Sequence, residues 1–305
     1  MNRFVIALGM FDGLHLGHRV LLQRTVDIAR AAGDISVVYT FSNHPRELFG
    51  EHFRYVSTLE QREVLFRSFG INRLEVVPFT VDFARQLPHA FLEKLSSQFN
   101  HAVSGIVCGY DYRFGRKASG DVELLGTMGD EFHYSLEVIQ PVLYRGIPVS
   151  STRVRDCIAD GNILKANEML CRPYMLSGTV VHNKAYGRSI GFPTANIVSE
   201  TQIVPKDGVY ATALFYQGEV YPSVTNIGWN PTVRGENRTI ETHVPNVQLD
   251  LYGKDISILF LDRIREETVF DSVDSMVARI GMDTETALKI YQDHEKSVYK
   301  FVSLW

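Results

Sequence analysis

The chain has 305 residues, 45% hydrophobic and 22% charged, with a formal net charge of −4. That length predicts two domains in a globular protein, and mild acidity without a basic tail or block argues against a nucleic-acid partner. Cys108, Cys157 and Cys171 show no CxxC spacing, which speaks against a disulfide frame or zinc knuckle and for a reducing, cytoplasmic setting.

The opening segment MNRFVIALGMF carries an apolar run too short for a secretory signal, and no stretch approaches the ~20 apolar residues of a membrane span. In chain order, FVIAL (4–8) reads as a buried strand and His18 to Ala32 as a helix stopped by Gly33. ISVVYTF (35–41) is a second strand, and Thr58 caps a helix running to Phe69 and closed by Gly70. LEVVPF, a helix opened by Pro88, and VSGIVC (103–108) continue the alternation. Strands separated by helices predict an α/β domain with a parallel sheet, whose ligands sit at the carboxyl ends of the strands. After about residue 172 the pattern is β-rich: YMLSGTVVH, GVYATALFY, EVYPSVTNIG and DISILFLDRI, with Gln217-Gly218 as a hairpin turn. These strands predict a small antiparallel β-barrel. Beyond Phe270 the chain turns helical, and Leu288, Tyr291, Val298 and Phe301 fall near one face that packs on the barrel.

The segment GMFDGLHLGH (9–18) follows the first strand directly. Gly9, Gly13 and Gly17 permit tight turns and close backbone approach, and His15 and His18 stand at the entrance to a helix, where free N–H groups favour phosphate. Alone, HxGH reads equally as two polar loop residues; as a metal site it lacks clear third and fourth ligands. VSSTRVR (149–155) places Ser150, Ser151 and Thr152 at a helix start, with Arg153 and Arg155 after them. That set suits a polyphosphate, although by itself it also reads as a cap with a basic face.

No GxxxxGK[ST] occurs, so a Walker-type kinase is disfavoured. The candidate phosphate loop of the second half is VVHNKAYGRSIGFPTANI (180–197). Gly187 and Gly191 allow close approach, and Lys184 and Arg188 supply charge. On an extended stretch Thr194 and Asn196 point to one side, where a hydroxyl and an amide oxygen can share a hard cation such as Mg²⁺. A glycine-rich connection with a surface Thr and Asn is the plainer alternative.

Taken in order, GMFDGLHLGH, TFSNHPRELF (40–49), CGYDYRFGRKASGD (108–121), VSSTRVR, CRPY (171–174), GFPTAN, NIGWNPTV (226–233) and RTIETHVPNVQLDLYG (238–253) resemble the bacterial bifunctional riboflavin kinase/FMN adenylyltransferase family across essentially the whole chain. The resemblance implies a Rossmann-like nucleotidylyltransferase domain over residues 1–172 and a riboflavin kinase barrel with C-terminal helices over 173–305. It implies that His15 and His18 contact ATP phosphates, with Gly9, Phe11, Asp12 and Gly17 in the same loop. Ser150, Ser151 and Arg155 would bind the triphosphate, and Gly109, Asp111 and Arg113 would lie beside the nucleotide. In the second domain Lys184, Gly187, Arg188 and Gly191 would hold phosphates, and Thr194 and Asn196 Mg²⁺ with ATP. Glu241, by itself a strand carboxylate that can face solvent, would be the kinase's base.

The partners implied are small molecules (ATP, riboflavin and FMN), with no nucleic acid and no membrane. Asn43 stands where the family usually has Pro, Cys171 where it has Gly, and Arg279 where Gln is frequent. Two rival readings remain: an FMN adenylyltransferase whose barrel is a flavin-binding or structural module, and a flavin sensor that binds without turnover.

Overall fold

The computed structural model describes residues 2–182, 191–232 and 235–305. The chain divides into two compact units, one of Met1–Phe53 with Leu59–Ser151, the other of Arg54–Thr58 with Thr152–Trp305.

The first unit is built on five strands: β1 (Phe4–Leu8), β2 (Ile35–Phe41), β3 (Arg73–Val77), β4 (Val103–Gly109) and β5 (Ser135–Ile139). They lie in the order β3-β2-β1-β4-β5, and every neighbouring pair is parallel. The helices between them are α1 (Leu16–Ala32), α2 (Leu59–Ser68), α3 (Val81–Ala84), α4 (Pro88–Gln98), α5 (Val122–Thr127) and α6 (Gly129–Phe132). A short hairpin, Leu143–Tyr144 with Ile147–Pro148, closes the unit. β1 and β2 have the predicted limits. α1 begins two residues before the predicted start because His15 caps it, and Gly33 ends it at φ 70, the left-handed C-cap. Ile6, Leu8, Val37, Ile106 and Cys108 on the sheet pack with Phe91, Leu92, Leu95 and Phe99 of the α4 region. Chain order reverses at β1, between β2 and β4, so the carboxyl end of β1 opens the crevice where such sheets hold ligands.

The second unit begins with helices α7 (Ser151–Ala159, all but its first residue) and α8 (Ile163–Leu170). Six strands follow: β6 (Tyr174–Val181), β7 (Thr194–Val198), β8 (Gly208–Tyr216), β9 (Glu219–Thr232), β10 (Gly235–His243) and β11 (Asp255–Arg265). They close into a barrel of antiparallel pairs in the order β8-β9-β10-β7-β6-β11. Gln217 and Gly218 both take positive φ, 51 and 83, as the predicted two-residue hairpin requires. Leu176, Ile197, Tyr210, Ile227, Ile258 and Phe260 fill the interior. Among them runs a chain of hydroxyls, Ser223–Thr212–Thr225–Thr242, each link 2.8 Å. These buried polar groups satisfy one another, which removes the cost of burying them singly.

The C-terminal helix Val273–Val302, capped by Ser272, lies against β8, β9 and β11. Its buried stripe is Asp283, Ala287, Tyr291, Val298, Phe301 and Val302, with Leu288 only partly covered. Asp283 is 3% exposed and receives Arg265 Nη2 at 2.7 Å and Arg279 Nε at 3.2 Å. Arg279 therefore completes an ionic anchor between the helix and the end of β11. Arg54–Thr58 joins this unit through Tyr55, whose N–H donates to Thr201 O and whose carbonyl accepts from Ile203 N, both 2.9 Å. The wholly buried Gln202 ties that segment to β6, its amide donating to Val56 O at 3.2 Å and Met175 O at 2.8 Å.

Cys171 ends α8 at φ 54, a left-handed conformation that a side chain disfavours. Cys171→Gly is expected to raise stability by about 1 kcal/mol, measured as a higher denaturant midpoint with unchanged slope.

Candidate active sites

At the carboxyl end of β1 the chain makes a tight loop in which Phe11 (φ 53) and Leu14 (φ 43) adopt left-handed backbone conformations. Such strain costs about 1–3 kcal/mol per residue and persists only where the surroundings impose it. His15 then caps α1: its Nδ1 accepts from Gly17 N at 3.2 Å and His18 N at 3.4 Å. An accepting Nδ1 leaves the proton on Nε2, so the capping bond fixes the tautomer as a donor. A Cβ at Gly17 would sit 3.2 Å from the His15 ring, a tight contact that would push against the capping imidazole. The His15 and His18 rings stack with centroids 3.8 Å apart, and Phe11 meets His18 edge-on at 5.2 Å.

Burial pulls the His15 pKa from 6.5 down to about 4. His18 is also held well below its ordinary value, by burial first and then by His15 and Arg62. Both rings are therefore held neutral near pH 7. A depressed histidine pKa means that the unfolded chain takes up a proton the folded one refuses as pH falls. The contribution of His15 to stability is full above pH 6.5 and is lost as the pH drops toward about 4, the loss reaching about 2 kcal/mol at pH 5. His15→Asn, which keeps a capping side chain, should flatten the decline in melting temperature between pH 7.5 and 5.

Ser151, the first residue of α7, donates from Oγ to Asp12 O at 2.8 Å. The serine signature and the histidine loop thus meet directly in the first unit. Gly109 ends β4, and Asp111 and Arg113 follow it, with Arg113 paired to Asp121 at 3.2 Å. Asn43 pins its own loop, donating to Phe79 O at 3.1 Å and accepting from Phe79 N at 2.8 Å. These two bonds take over the stiffening that a proline would give. Arg155 lies in the second unit, where its Nε donates to Arg54 O at 2.9 Å. Sequence reasoning missed Arg62 of α2, which is 1% exposed and donates to Met10 O at 2.8 Å. A lone Arg on an amphipathic helix carries no sequence signal of such burial.

In the barrel, Thr194 and Asn196 lie on the same side of β7, as an extended strand requires. Glu241 of β10 pairs directly with Asn196 of β7 and with Asn226 of β9, so the three share one face. Thr194 Oγ1 donates to Glu241 Oε2 at 3.5 Å, a long contact that joins the hydroxyl to the carboxylate. Phe192 meets His243, two residues beyond Glu241, edge-on at 5.4 Å. Gly191 takes φ 89 at the entry to this stretch. Lys184, Gly187 and Arg188 lie outside the described residues. Among the described residues no group of three or more His, Cys, Asp or Glu is placed to hold a metal ion, and no helix is long and apolar enough to cross a membrane.

Residues 1–153 match the FAD synthetase family and residues 170–291 the riboflavin kinase family. The chain is 36% identical to the bifunctional riboflavin kinase/FMN adenylyltransferase of Escherichia coli K12, covering 94% of this chain and 92% of that protein. It is 32% identical to the Bacillus subtilis protein of the same name, over 96% and 94%. A solved structure from Streptococcus pneumoniae, described as a macrolide-efflux protein, superposes with a TM-score of 0.86 at 33% identity over 94% of each chain.

Proposed function

The chain belongs to the bifunctional riboflavin kinase/FMN adenylyltransferase family, and on that premise we propose how its residues divide the two reactions. The enzyme phosphorylates riboflavin with ATP to give FMN, then adenylylates FMN with a second ATP to give FAD and pyrophosphate.

We assign adenylylation to residues 1–172 and phosphorylation to 173–305. By packing, α7 and α8 group with the barrel; by signature, the start of α7 belongs to the adenylyltransferase. An FMN phosphate oxygen attacks the α-phosphorus of ATP as the bond to the β-phosphate oxygen breaks. The attacking phosphate is already an anion, so the site needs positioning and charge stabilisation rather than a base. The neutral His15 and His18, the first turn of α1 and Ser150 and Ser151 supply donors to the phosphate oxygens. Gly9, Phe11, Asp12 and Gly17 shape the loop, and Gly109, Asp111 and Arg113 lie along the nucleotide. The observation that carries this half is the Ser151–Asp12 bond, 2.8 Å, which brings the two signatures to one place.

In the barrel the riboflavin 5′-hydroxyl attacks the γ-phosphorus and Glu241 accepts its proton while ADP departs. Thr194 and Asn196 present hard oxygen donors beside Glu241 and fit Mg²⁺, though they are too few to hold it without the nucleotide's own oxygens. Mg²⁺ bound there would neutralise charge on the transferring phosphoryl group. Lys184, Gly187, Arg188 and Gly191 would hold the phosphates. We place the enzyme in the cytoplasm, supported by three free cysteines, with small molecules as its partners.

Chromatography of riboflavin, ATP and Mg²⁺ with the enzyme should show FMN rising first and FAD following. FAD formed from supplied FMN, with riboflavin left untouched, would reduce the barrel to a binding module.

A further inference from the structure

We propose that Arg62 is a positioning residue for adenylylation: from α2 it fixes the Met10–Phe11 turn and, through Phe11, the ring of His18. The proposal rests on FMN adenylylation in the first unit. At 1% exposure Arg62 is among the largest fully buried side chains of the protein and is too enclosed to touch a substrate. Its Nη1 donates to Met10 O at 2.8 Å, and both Nη1 and Nη2 lie 3.4 Å from Phe41 O. Thr40 Oγ1 donates to the same Met10 carbonyl at 3.1 Å. The guanidinium fork thus links the chain leaving β1 to the last residue of β2.

Phe66 lies one helical turn beyond Arg62 on the same face of α2, and its ring meets Phe11 edge-on at 5.6 Å. One helix face therefore grips Phe11 twice, by the carbonyl that precedes it and by its ring. These grips account for a wholly buried phenylalanine held at φ 53. Phe11 in turn meets His18 at 5.2 Å. A lysine could reach one carbonyl, but it has no planar fork to span two.

The test uses the full chain, with FMN adenylylation resolved into kcat and the KM for ATP, and riboflavin phosphorylation as the internal control. In Arg62→Met, kcat for adenylylation should fall about 100-fold, the loss expected from a misplaced catalytic group, with KM changed less than about threefold. Arg62→Lys should recover roughly a tenth of wild-type kcat. Both variants should phosphorylate riboflavin at the wild-type rate. The assignment is overturned if either variant adenylylates FMN as fast as wild type, or if both activities fall together. Should Arg62→Met not fold, Arg62→Lys decides by the same criteria. Wild-type enzyme that makes no FAD would sink the parent reading and this one with it; active wild type with equally active variants sinks this one alone.

Discussion

His18→Ala should carry riboflavin to FMN and stop there, with FMN adenylylation slowed about 10²–10³-fold, the effect of losing one donor to a developing charge. The ring sits in the first turn of α1, stacked at 3.8 Å on His15. Its Nδ1 is enclosed with no hydrogen-bond partner, so protonation would create a cation that nothing solvates. On the proposed assignment the group lost is a neutral donor in the first turn of α1, and backbone N–H groups of that turn should supply the residual rate. Riboflavin phosphorylation should be unchanged, because the barrel holds none of these residues. Time courses started from riboflavin and, separately, from FMN distinguish a stopped second step from a weakened first. FAD appearing at the wild-type rate would remove His18 from the mechanism.

The reciprocal result is expected of Glu241→Gln, with riboflavin phosphorylation down about 10²–10⁴-fold, the range for removing a general base, and conversion of supplied FMN to FAD intact. The amide keeps the size of the carboxylate and can still accept from Thr194, so the row shared with Asn196 and Asn226 survives. Only the capacity to take a proton is lost. A merely architectural Glu241 would leave the phosphorylation rate of the glutamine variant near wild type. Glu241 and His18 lie in different units, so the two losses should add without coupling.

Much of this architecture is legible in the residues themselves. FVIAL and ISVVYTF mark their strands because uninterrupted β-branched and aromatic runs suit a sheet covered on both faces. Gln217-Gly218 marks its hairpin because few residue pairs tolerate two successive positive φ values. Of the sites, the short motifs around His15, Ser151 and Thr194 are visible as strings, and Glu241 only through family likeness. What escapes is what depends on distant partners. Arg62 reads as a surface residue because nothing nearby in sequence reveals the carbonyls of Met10 and Phe41. Arg279 looks like a departure until Asp283 appears one turn away and Arg265 arrives from β11. The hydroxyls of Ser223, Thr212, Thr225 and Thr242 look like ordinary strand polarity until the barrel closes around them.

The passage of Arg54–Thr58 into the barrel unit bears on how this polypeptide can be dissected. A fragment beginning at residue 173 would shed that pentapeptide together with α7 and α8. Thr201 O and Ile203 N, now bonded to Tyr55, would be left bare, and Gln202 would lose its bond to Val56. Such a piece should be prone to pair with itself along the uncovered edge. A synthetic peptide spanning residues 50–60, added in trans, would be the natural remedy. Because Arg54–Thr58 belongs to the second unit while the residues on either side of it belong to the first, no single cut in the chain returns both units whole.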